Sequence, residues 1–394
     1  MGGAERVLLD LLEMVRKARP AWPLALVTGN DGPLVEDSRR LGVATTTLPF
    51  PRGFARLGDA GLASPATWAR FAAQALSGCM STVLYSRRLR RAIADFRPDI
   101  IHSNGIKMHL LGAIAMPADA ALVWHFHDYP SARPVTSRLV RTLKARPRAI
   151  VAVSESVAND IRTDLRAPAE VRTIWNSVDI ERFDPEGPRA DLDALAGLPP
   201  AAPGVPRIGL VATFARWKGH LLFLEMLKQL SATHPFRAYI VGGPLYETHA
   251  SQISMEELRQ AVTRLGLASC VGLTGFVSDA AAVLRTLDVV VHASTSPEPF
   301  GLVIAEAMAT SRAVVISDAG GVTELVRPGE TGLTYASGSV DAMASQVRRL
   351  LNDGNFRSRI GQAARQAAVA QFEPSRVTRQ MLDLYDHLGT AAVA

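Results

Sequence analysis

The chain has 394 residues, 48% of them hydrophobic and 20% charged, which excludes a disordered or fibrous protein and predicts two domains of roughly 200 residues. Its only two cysteines, Cys79 and Cys270, lie far apart, and this argues against a disulfide scaffold and against a zinc site. The net charge is +6, and residues 51–150 hold 15 Lys and Arg against 5 Asp and Glu, so a basic face is expected in the first half.

This basic face suits anionic lipid head groups or a phosphate-bearing acceptor, and a solvated helix surface explains it equally well. Nucleic acid is not an expected partner, because the basic stretch lacks interleaved aromatic residues. No apolar run reaches the roughly 18 residues of a spanning helix, and no secretion signal is recognised. We therefore expect a cytoplasmic protein, with peripheral contact to the inner face of the membrane as a hypothesis.

Short β-branched runs alternate with helical patterns, which predicts an α/β protein with parallel sheets covered by helices. In the first half, strands are predicted at 24–28, 43–48, 99–103, 122–125, 149–153 and 171–175, with helix over 53–97. In the second half, they are predicted at 207–213, 237–241, 271–274, 289–292, 313–317 and 332–335. The Pro- and Gly-rich segment 184–207 predicts an interdomain connection, with the boundary near residue 180.

The N-terminus enters an amphipathic helix with no strand ahead of it. Gly2 and Gly3 form the kind of turn that normally joins a strand to a helix and allows the backbone to approach a bound anion. Loss of a central strand would expose two unpaired edges. We therefore expect a truncated start, through a misassigned start codon and the loss of ~10 residues, in preference to a domain that lacks this strand.

Polar side chains follow two strands of the first half. Asn104 and Lys107 come after the strand at 99–103, and His125, His127 and Asp128 end the strand at 122–125. Alternation along a strand places His125 and His127 on one side. These residues are candidates for a ligand site at the carboxyl edge of the sheet. A metal site is a weak alternative, since no further ligands cluster nearby.

Two cations, Arg216 and Lys218, follow the strand that begins at residue 207. Positive charge at this position can neutralise a bound diphosphate, although such a pair is more often a solvated loop. Gly243 ends the strand at 237–241 and either shapes a nucleotide pocket or forms only a turn. The one D-x-D spacing, Asp191 and Asp193, lies in the linker, so no metal or other cofactor is expected to be required.

Segment 289–309 is a predicted strand, a polar loop and a helix start, the arrangement at which open α/β sheets bind ligands. The amides of Phe300, Gly301 and Leu302 can hold a diphosphate at the helix N-terminus. Glu298 and Glu306 would instead bind hydroxyl groups of the sugar and the ribose. Alternatively, these two carboxylates only favour the helix.

Four segments together give a family resemblance: E-P-F-G-L-x-x-x-E at 298–306, the following SDAGGVTELV, the early GGAERVLLDL and the later WKGH. The sequence resembles retaining glycosyltransferases of family 4, of bacterial type, over nearly the whole chain. The resemblance implies the GT-B fold, in which two Rossmann-like domains face each other across a cleft. Residues 1–180 with helix 375–394 would bind the acceptor, and residues 181–374 the nucleotide sugar.

The resemblance also implies roles for individual residues. His127, with His125 in reserve, would lie near the transferred sugar and the acceptor, and Asn104, Lys107 and Asp128 would lie on the acceptor side. Glu298 would face the sugar and Glu306 the ribose. Lys218 matches the Lys of the family's Lys-Gly pair, whereas Thr213 stands where the family usually has an Arg, so Arg216 is a candidate replacement.

The implied activity is transfer of a hexose from a UDP- or GDP-sugar, such as GDP-mannose, to a glycan or lipid-linked acceptor with retention. Cell-surface polysaccharide or glycolipid synthesis is the implied process. An epimerase or phosphorylase of the same fold and a non-catalytic sugar-nucleotide binder are the alternatives. A dinucleotide oxidoreductase is disfavoured, because no G-x-G-x-x-G follows a predicted strand.

Overall fold

The computed structural model describes residues 2–50, 65–244 and 252–392, which form two α/β units. The first unit contains Met1–Trp175 and Ser375–Ala394, and the second contains Asn176–Pro374. The sequence placed the boundary near residue 180, whereas the units meet along the chain between Trp175 and Asn176. Segment 184–207, predicted as an interdomain connection, therefore lies within the second unit.

The elements of the first half are short strands alternating with helices. In chain order they are α1 (Gly3–Ala18), β1 (Ala25–Thr28), α2 (Pro33–Arg40), β2 (Ala44–Thr47), α3 (Pro65–Phe96), β3 (Ile100–Asn104), α4 (Ile106–Ala115), β4 (Ala121–Phe126), α5 (Pro134–Thr142), β5 (Ala149–Ala152), α6 (Glu155–Asp164) and β6 (Glu170–Thr173).

The second half continues the alternation. Its elements are α7 (Leu192–Leu195), β7 (Arg207–Val211), α8 (His220–Ser231), β8 (Arg237–Val241), α9 (Met255–Arg264), β9 (Val271–Gly275), α10 (Ala280–Thr286), β10 (Val289–His292), α11 (Leu302–Ala309), β11 (Ala313–Ser317), β12 (Leu333–Tyr335), α12 (Val340–Asn352), α13 (Gly354–Phe372) and α14 (Pro374–Ala392).

Every predicted strand is present, with each end within two residues of the predicted limit. The short apolar, β-branched runs succeed as predictors because strands buried on both faces need apolar side chains on both sides. The helix predicted over 53–97 is present as α3 from Pro65; the part of this prediction before residue 65 lies outside the described residues.

The second unit is built on one six-stranded parallel sheet with the order β12-β11-β10-β7-β8-β9. The first strand of this unit, β7, therefore lies in the middle of the sheet, between β8 and β10. An apolar core of buried residues joins the sheet to its helices, with Phe223 and Met226 of α8 and Val347 of α12 among them.

The described residues of the first unit form two separate parallel sheets. One consists of β1 and β2, and the other has the order β3-β4-β5-β6. The apolar stripe of α14, including Val377, Met381 and Leu384, packs in one core cluster with Val123 of β4 and Val151 of β5. Among the described residues, no helix is both long and apolar enough to cross a lipid bilayer.

Candidate functional site

Three neighbouring strands of the second unit bring their carboxyl ends together. Because β7, β10 and β11 are adjacent and parallel, the segments that follow them start at the same edge of the sheet. A one-turn 3₁₀ helix, Arg216–Lys218, follows β7, and the loop that contains Glu298 follows β10. The site is assembled from segments about eighty residues apart in sequence.

Glu298 is a buried carboxylate, only 9% exposed, with three donors at one oxygen. Its Oε2 accepts hydrogen bonds from Lys218 Nζ at 2.6 Å, His292 Nε2 at 3.2 Å and Ser294 Oγ at 3.2 Å. Burial by itself would raise the pKa of Glu298, but the charge of Lys218 and the hydrogen bond from His292 outweigh it and lower this pKa to about 2. Glu298 is therefore ionised at neutral pH.

His292, the last residue of β10, fixes the orientation of this carboxylate. An ionised carboxylate only accepts, so His292 Nε2 carries the proton that it donates to Glu298. Its other ring nitrogen, Nδ1, lies 3.1 Å from Ser317 Oγ, and its carbonyl accepts from Tyr335 Oη at 3.0 Å. The contacts of Glu298 with His292 and Ser294 were not predicted from the sequence. The positions of these residues, six and four residues before Glu298, could have indicated them.

Gly219 allows the Lys218 turn to lie against the end of β10. Its φ is +73°, in the left-handed region, and a Cβ built on it would lie 1.8 Å from the carbonyl oxygen of Ala293. No side chain fits there without movement of the backbone. Packing thus explains why a glycine follows Lys218: a side chain at this position would keep the turn away from β10, and Lys218 could not reach Glu298.

The N-terminus of α11 comes directly after the Glu298 loop. Gly301 caps the helix at φ +93°, and a Cβ there would lie 2.8 Å from Val322 Cγ2, so packing as well as conformation requires glycine. The Phe300 side chain is buried against Phe372, with ring centroids 5.9 Å apart. Residues 300–302 have no polar side chain, so their backbone N–H groups are the groups that can bind an anion here. Glu306 lies half-buried on the same helix.

Arg216 does not join Lys218 at Glu298. Its guanidinium pairs with Glu257 of α9 at 2.7 Å, and both side chains are about half-exposed. A backbone hydrogen bond from Ser254, followed by the contacts with Arg216, lowers the pKa of Glu257 to about 2. The structure thus places Arg216 beside a surface carboxylate and not beside Lys218, and its contribution to the donor site stays a prediction.

The remaining donor-side candidates lie at turns. The carbonyl of Thr213 accepts from Ala215 just after β7, and the carbonyl of Gly243 accepts from Phe214 just after β8. Gly2 is the N-cap of α1, whose first residue is Gly3, and the Gly2 amide donates to Glu5 Oε2 at 2.8 Å. That Gly2, Gly3, Thr213 and Gly243 bind the donor stays a prediction.

In the first unit, His125 and His127 lie on the same side as predicted, with ring centroids 4.2 Å apart. His127 Nε2 is 2.6 Å from Asn104 Oδ1, and Asn104 Nδ2 donates to the Ala4 carbonyl at 3.1 Å. A carbonyl only accepts, so the Asn104 amide must present its oxygen to His127. His127 Nε2 is therefore protonated, and Nδ1 is the lone-pair nitrogen of the neutral ring.

The two other acceptor-side candidates lie close by in the sequence. Asp128 is exposed and pairs with Arg133 at 3.1 Å. Lys107 is the second residue of α4 and follows Asn104 by three positions. Among the residues that the structure describes, no group of three or more His, Cys, Asp and Glu side chains is arranged to hold a metal ion.

A hydrogen-bonded chain that the sequence did not reveal lies behind His127. Tyr385 Oη is 2.7 Å from His102 Nδ1, and His102 Nε2 is 3.2 Å from His125 Nδ1. Burial lowers the pKa of His102 to about 4, and burial followed by the charge of His102 lowers that of His127 to about 3. Both rings are therefore neutral at pH 7.

These depressed values predict an acid-sensitive fold. The unfolded chain takes up protons at these rings below about pH 6.5, before the native chain does, so the free energy of unfolding falls as pH decreases towards 4. We expect a loss of about 1.4 kcal/mol per pH unit for each neutral ring. Urea denaturation of the wild type and of His102→Asn between pH 7 and pH 5 checks this.

The matched control for this measurement is His234→Asn, which removes a histidine of the second unit that makes no contact with the hydrogen-bonded chain of Tyr385, His102 and His125. The slope with pH should be smaller in His102→Asn and unchanged in His234→Asn. Equal slopes in all three proteins would show that His102 titrates alike in the folded and unfolded states.

Comparison with known proteins assigns the chain to a family. Residues 1–182 match the family model described as Glycosyltransferase Family 4, and residues 200–367 match the model described as Glycosyl transferases group 1. The chain belongs to glycosyltransferase family 4. The two models match most of each unit of this glycosyltransferase, and the matched residues include Asn104, His127, Lys218 and Glu298.

Relatives and solved structures agree with this assignment. The family 4 enzyme is 27% identical to alpha-maltose-1-phosphate synthase of Mycobacterium tuberculosis over 357 residues, which are 86% of this chain and 88% of the relative. It is 31% identical to the lipopolysaccharide core mannosyltransferase LpcC of Rhizobium leguminosarum bv. viciae over 218 residues, 55% of this chain and 59% of that one.

Its fold is the GT-B fold. The Anabaena protein HepE, solved in complex with UDP-glucose, matches with a TM-score of 0.78 at 24% identity, over 98% of this chain and 96% of HepE. Sucrose-phosphate synthase from Thermosynechococcus elongatus matches with a TM-score of 0.77 at 20% identity, over 99% and 94% of the two chains. The α/β architecture predicted from the sequence is confirmed.

Proposed function

We propose that this glycosyltransferase moves a hexose from a UDP- or GDP-sugar to a hydroxyl of a glycan or lipid-linked acceptor, with retention of the anomeric configuration. The observation that carries the proposal is the ionised Glu298 carboxylate, buried beside Lys218 and ahead of the α11 N-terminus. The names of relatives, which include glycogen synthase and a mannosyltransferase, support a hexose as the transferred group.

The donor diphosphate would lie at the α11 N-terminus. The first helix residues have N–H groups without intrahelical acceptors, and the helix dipole favours negative charge there. The Lys218 ammonium has three donors, so it can keep its contact with Glu298 and donate to the diphosphate as well. Glu298 would accept hydrogen bonds from sugar hydroxyl groups, and Glu306 from the ribose.

In the proposed reaction, the bond from the anomeric carbon to the diphosphate oxygen breaks and a bond from the acceptor oxygen forms on the same face. The proton of the acceptor hydroxyl passes to the departing diphosphate oxygen. Lys218 and the helix amides stabilise the charge that develops on the leaving group. No enzyme carboxylate needs to become covalently attached to the sugar.

Calorimetric titration without added metal tests the donor site. UDP, GDP, UDP-glucose and GDP-mannose are titrated into the wild type, Glu306→Ala and the surface control Glu225→Ala. We expect micromolar binding of one nucleotide family, and a loss of about 1 to 3 kcal/mol in Glu306→Ala alone, the cost of an unpaired polar group. Equal affinities in the two variants would remove Glu306 from the donor site.

The anomeric configuration of the product separates retention from inversion. With the donor that binds and a panel of glycan and lipid-linked acceptors, NMR should show the configuration of the donor preserved in the product. Conversion of the donor without any acceptor would instead indicate an epimerase. Binding of none of the four nucleotides would contradict the proposal as a whole.

A further inference from the structure

Trp217, the middle residue of the one-turn 3₁₀ helix that follows β7, has a cation over the face of its ring. Lys218 Nζ lies 4.0 Å from the centroid of this ring. An ammonium within about 6 Å of the face of a tryptophan is attracted by the negative electrostatic potential of that face. Lys218 therefore has two partners, the Glu298 carboxylate at 2.6 Å and the Trp217 ring.

The backbone of Trp217 is fixed to the segment that follows β10. Its carbonyl accepts two hydrogen bonds from Thr295, one from the amide at 2.7 Å and one from Oγ1 at 3.2 Å. Trp217 is half-buried, and it is not one of the described residues that form the apolar core cluster of the second unit. Its position at the edge of the sheet is thus set by these backbone contacts, and filling of the core does not account for it.

A lysine side chain needs partners in order to hold one position. Its four-carbon stem adopts many rotamers, and fixing it costs conformational entropy. Of the two cations on this turn, Lys218 reaches Glu298, whereas Arg216 pairs with Glu257. A second partner for the Lys218 ammonium reduces the entropy that is lost when an anion binds to it.

The ring and the carboxylate act on the ammonium in different ways. Glu298 is ionised, so it balances the positive charge of Lys218 and accepts one of its N–H groups. A second carboxylate in the place of Trp217 would give the group a net negative charge and would repel an anionic ligand. The indole ring is uncharged, so it holds the ammonium without adding negative charge.

We propose that Trp217 is a positioning residue for Lys218, whose ammonium it holds between the Glu298 carboxylate and the donor diphosphate. This inference rests on the proposed function, in which Lys218 donates to the diphosphate. The effect of the ring on the ligand passes through Lys218, and no contact between the ring and the ligand is required. The contribution of Trp217 to binding must therefore disappear when Lys218 is removed.

A double-mutant cycle tests this coupling. UDP and GDP are titrated calorimetrically into the wild type, Trp217→Leu, Lys218→Ala and the double variant, without added metal. For the nucleotide that binds the wild type, we expect Trp217→Leu to weaken binding about two- to fivefold, the range for a partly exposed cation–π contact. In the Lys218→Ala background, the same substitution should have no further effect on the affinity.

Two further variants separate the role of the ring from a merely structural one. Trp217→Phe keeps an aromatic face, so its affinity should stay within about twofold of the wild type. Phe356→Leu is the matched control in the same unit, because Phe356 of α13 also lies beside cations, Arg349 at 5.3 Å and Arg359 at 5.2 Å. Its affinity should equal that of the wild type. If thermal unfolding shows that Trp217→Leu is not folded, Trp217→Met replaces it in the cycle.

Unchanged affinity in Trp217→Leu, an equal loss with and without Lys218, or equal losses in Trp217→Phe and Trp217→Leu would overturn the inference and leave the proposed function in place. Unchanged affinity in Lys218→Ala would instead contradict the proposed role of Lys218 and this inference together. The Lys218→Ala titration thus distinguishes the two kinds of failure.

Discussion

Replacing Lys218 by alanine is expected to lower kcat about 10²- to 10³-fold, the range found when one preorganised donor to a developing charge is removed. Lys218 holds its ammonium 2.6 Å from the buried Glu298 carboxylate, at the edge of the sheet where the diphosphate is proposed to leave. Initial rates at saturating donor concentration, with the acceptor that the NMR panel identifies, measure this effect.

Arg216→Ala is the matched control, because Arg216 lies on the same turn as Lys218 but pairs with Glu257 at the surface. Its kcat should stay within about a factor of two of the wild type, because an exposed ion pair contributes little free energy. A loss in Arg216→Ala as large as that in Lys218→Ala would contradict the separation of the two cations seen in the structure.

Loss of Lys218 also leaves Glu298 buried without its cation, which destabilises the fold. The double variant Lys218→Ala with Glu298→Gln removes this uncompensated charge. We expect it to recover thermal stability relative to Lys218→Ala, while kcat stays low because both groups of the proposed site are gone. Recovery of kcat together with stability would mean that Lys218 acts only by neutralising Glu298.

Replacing His127 by alanine is expected to lower kcat/KM about 10²-fold, at the lower end of what a positioned proton-transfer or hydrogen-bonding side chain contributes. The neutral ring presents Nδ1 as an acceptor because Nε2 donates to Asn104. A hydroxyl group of the sugar or acceptor can donate to this nitrogen. Steady-state kinetics with His234→Ala as control measure the effect.

Asn104 is expected to act as a positioning residue for His127. In Asn104→Asp a carboxylate still accepts from Nε2, but its negative charge raises the pKa of His127 from about 3 towards the ordinary value. The acid limb of the kcat/KM profile should then move to higher pH, whereas Asn104→Ala should lose activity at every pH. An unchanged profile in Asn104→Asp would show that Asn104 does not control the protonation of His127.

The sequence determined the elements of this protein. Strands such as β8, β10 and β11 were predicted to the residue, because a run of β-branched apolar residues between helical patterns is a local property of the chain. The family and the GT-B fold were likewise readable from motifs. Short segments and their order along the chain are sufficient to predict these features.

Only the tertiary structure decided which side chains meet. Lys218 and Arg216 look equivalent in the sequence, yet one reaches Glu298 and the other Glu257, because partners far away in the chain are set by the order of strands in the sheet. For the same reason His292 with Ser317 and Tyr385 with His102 could not be predicted.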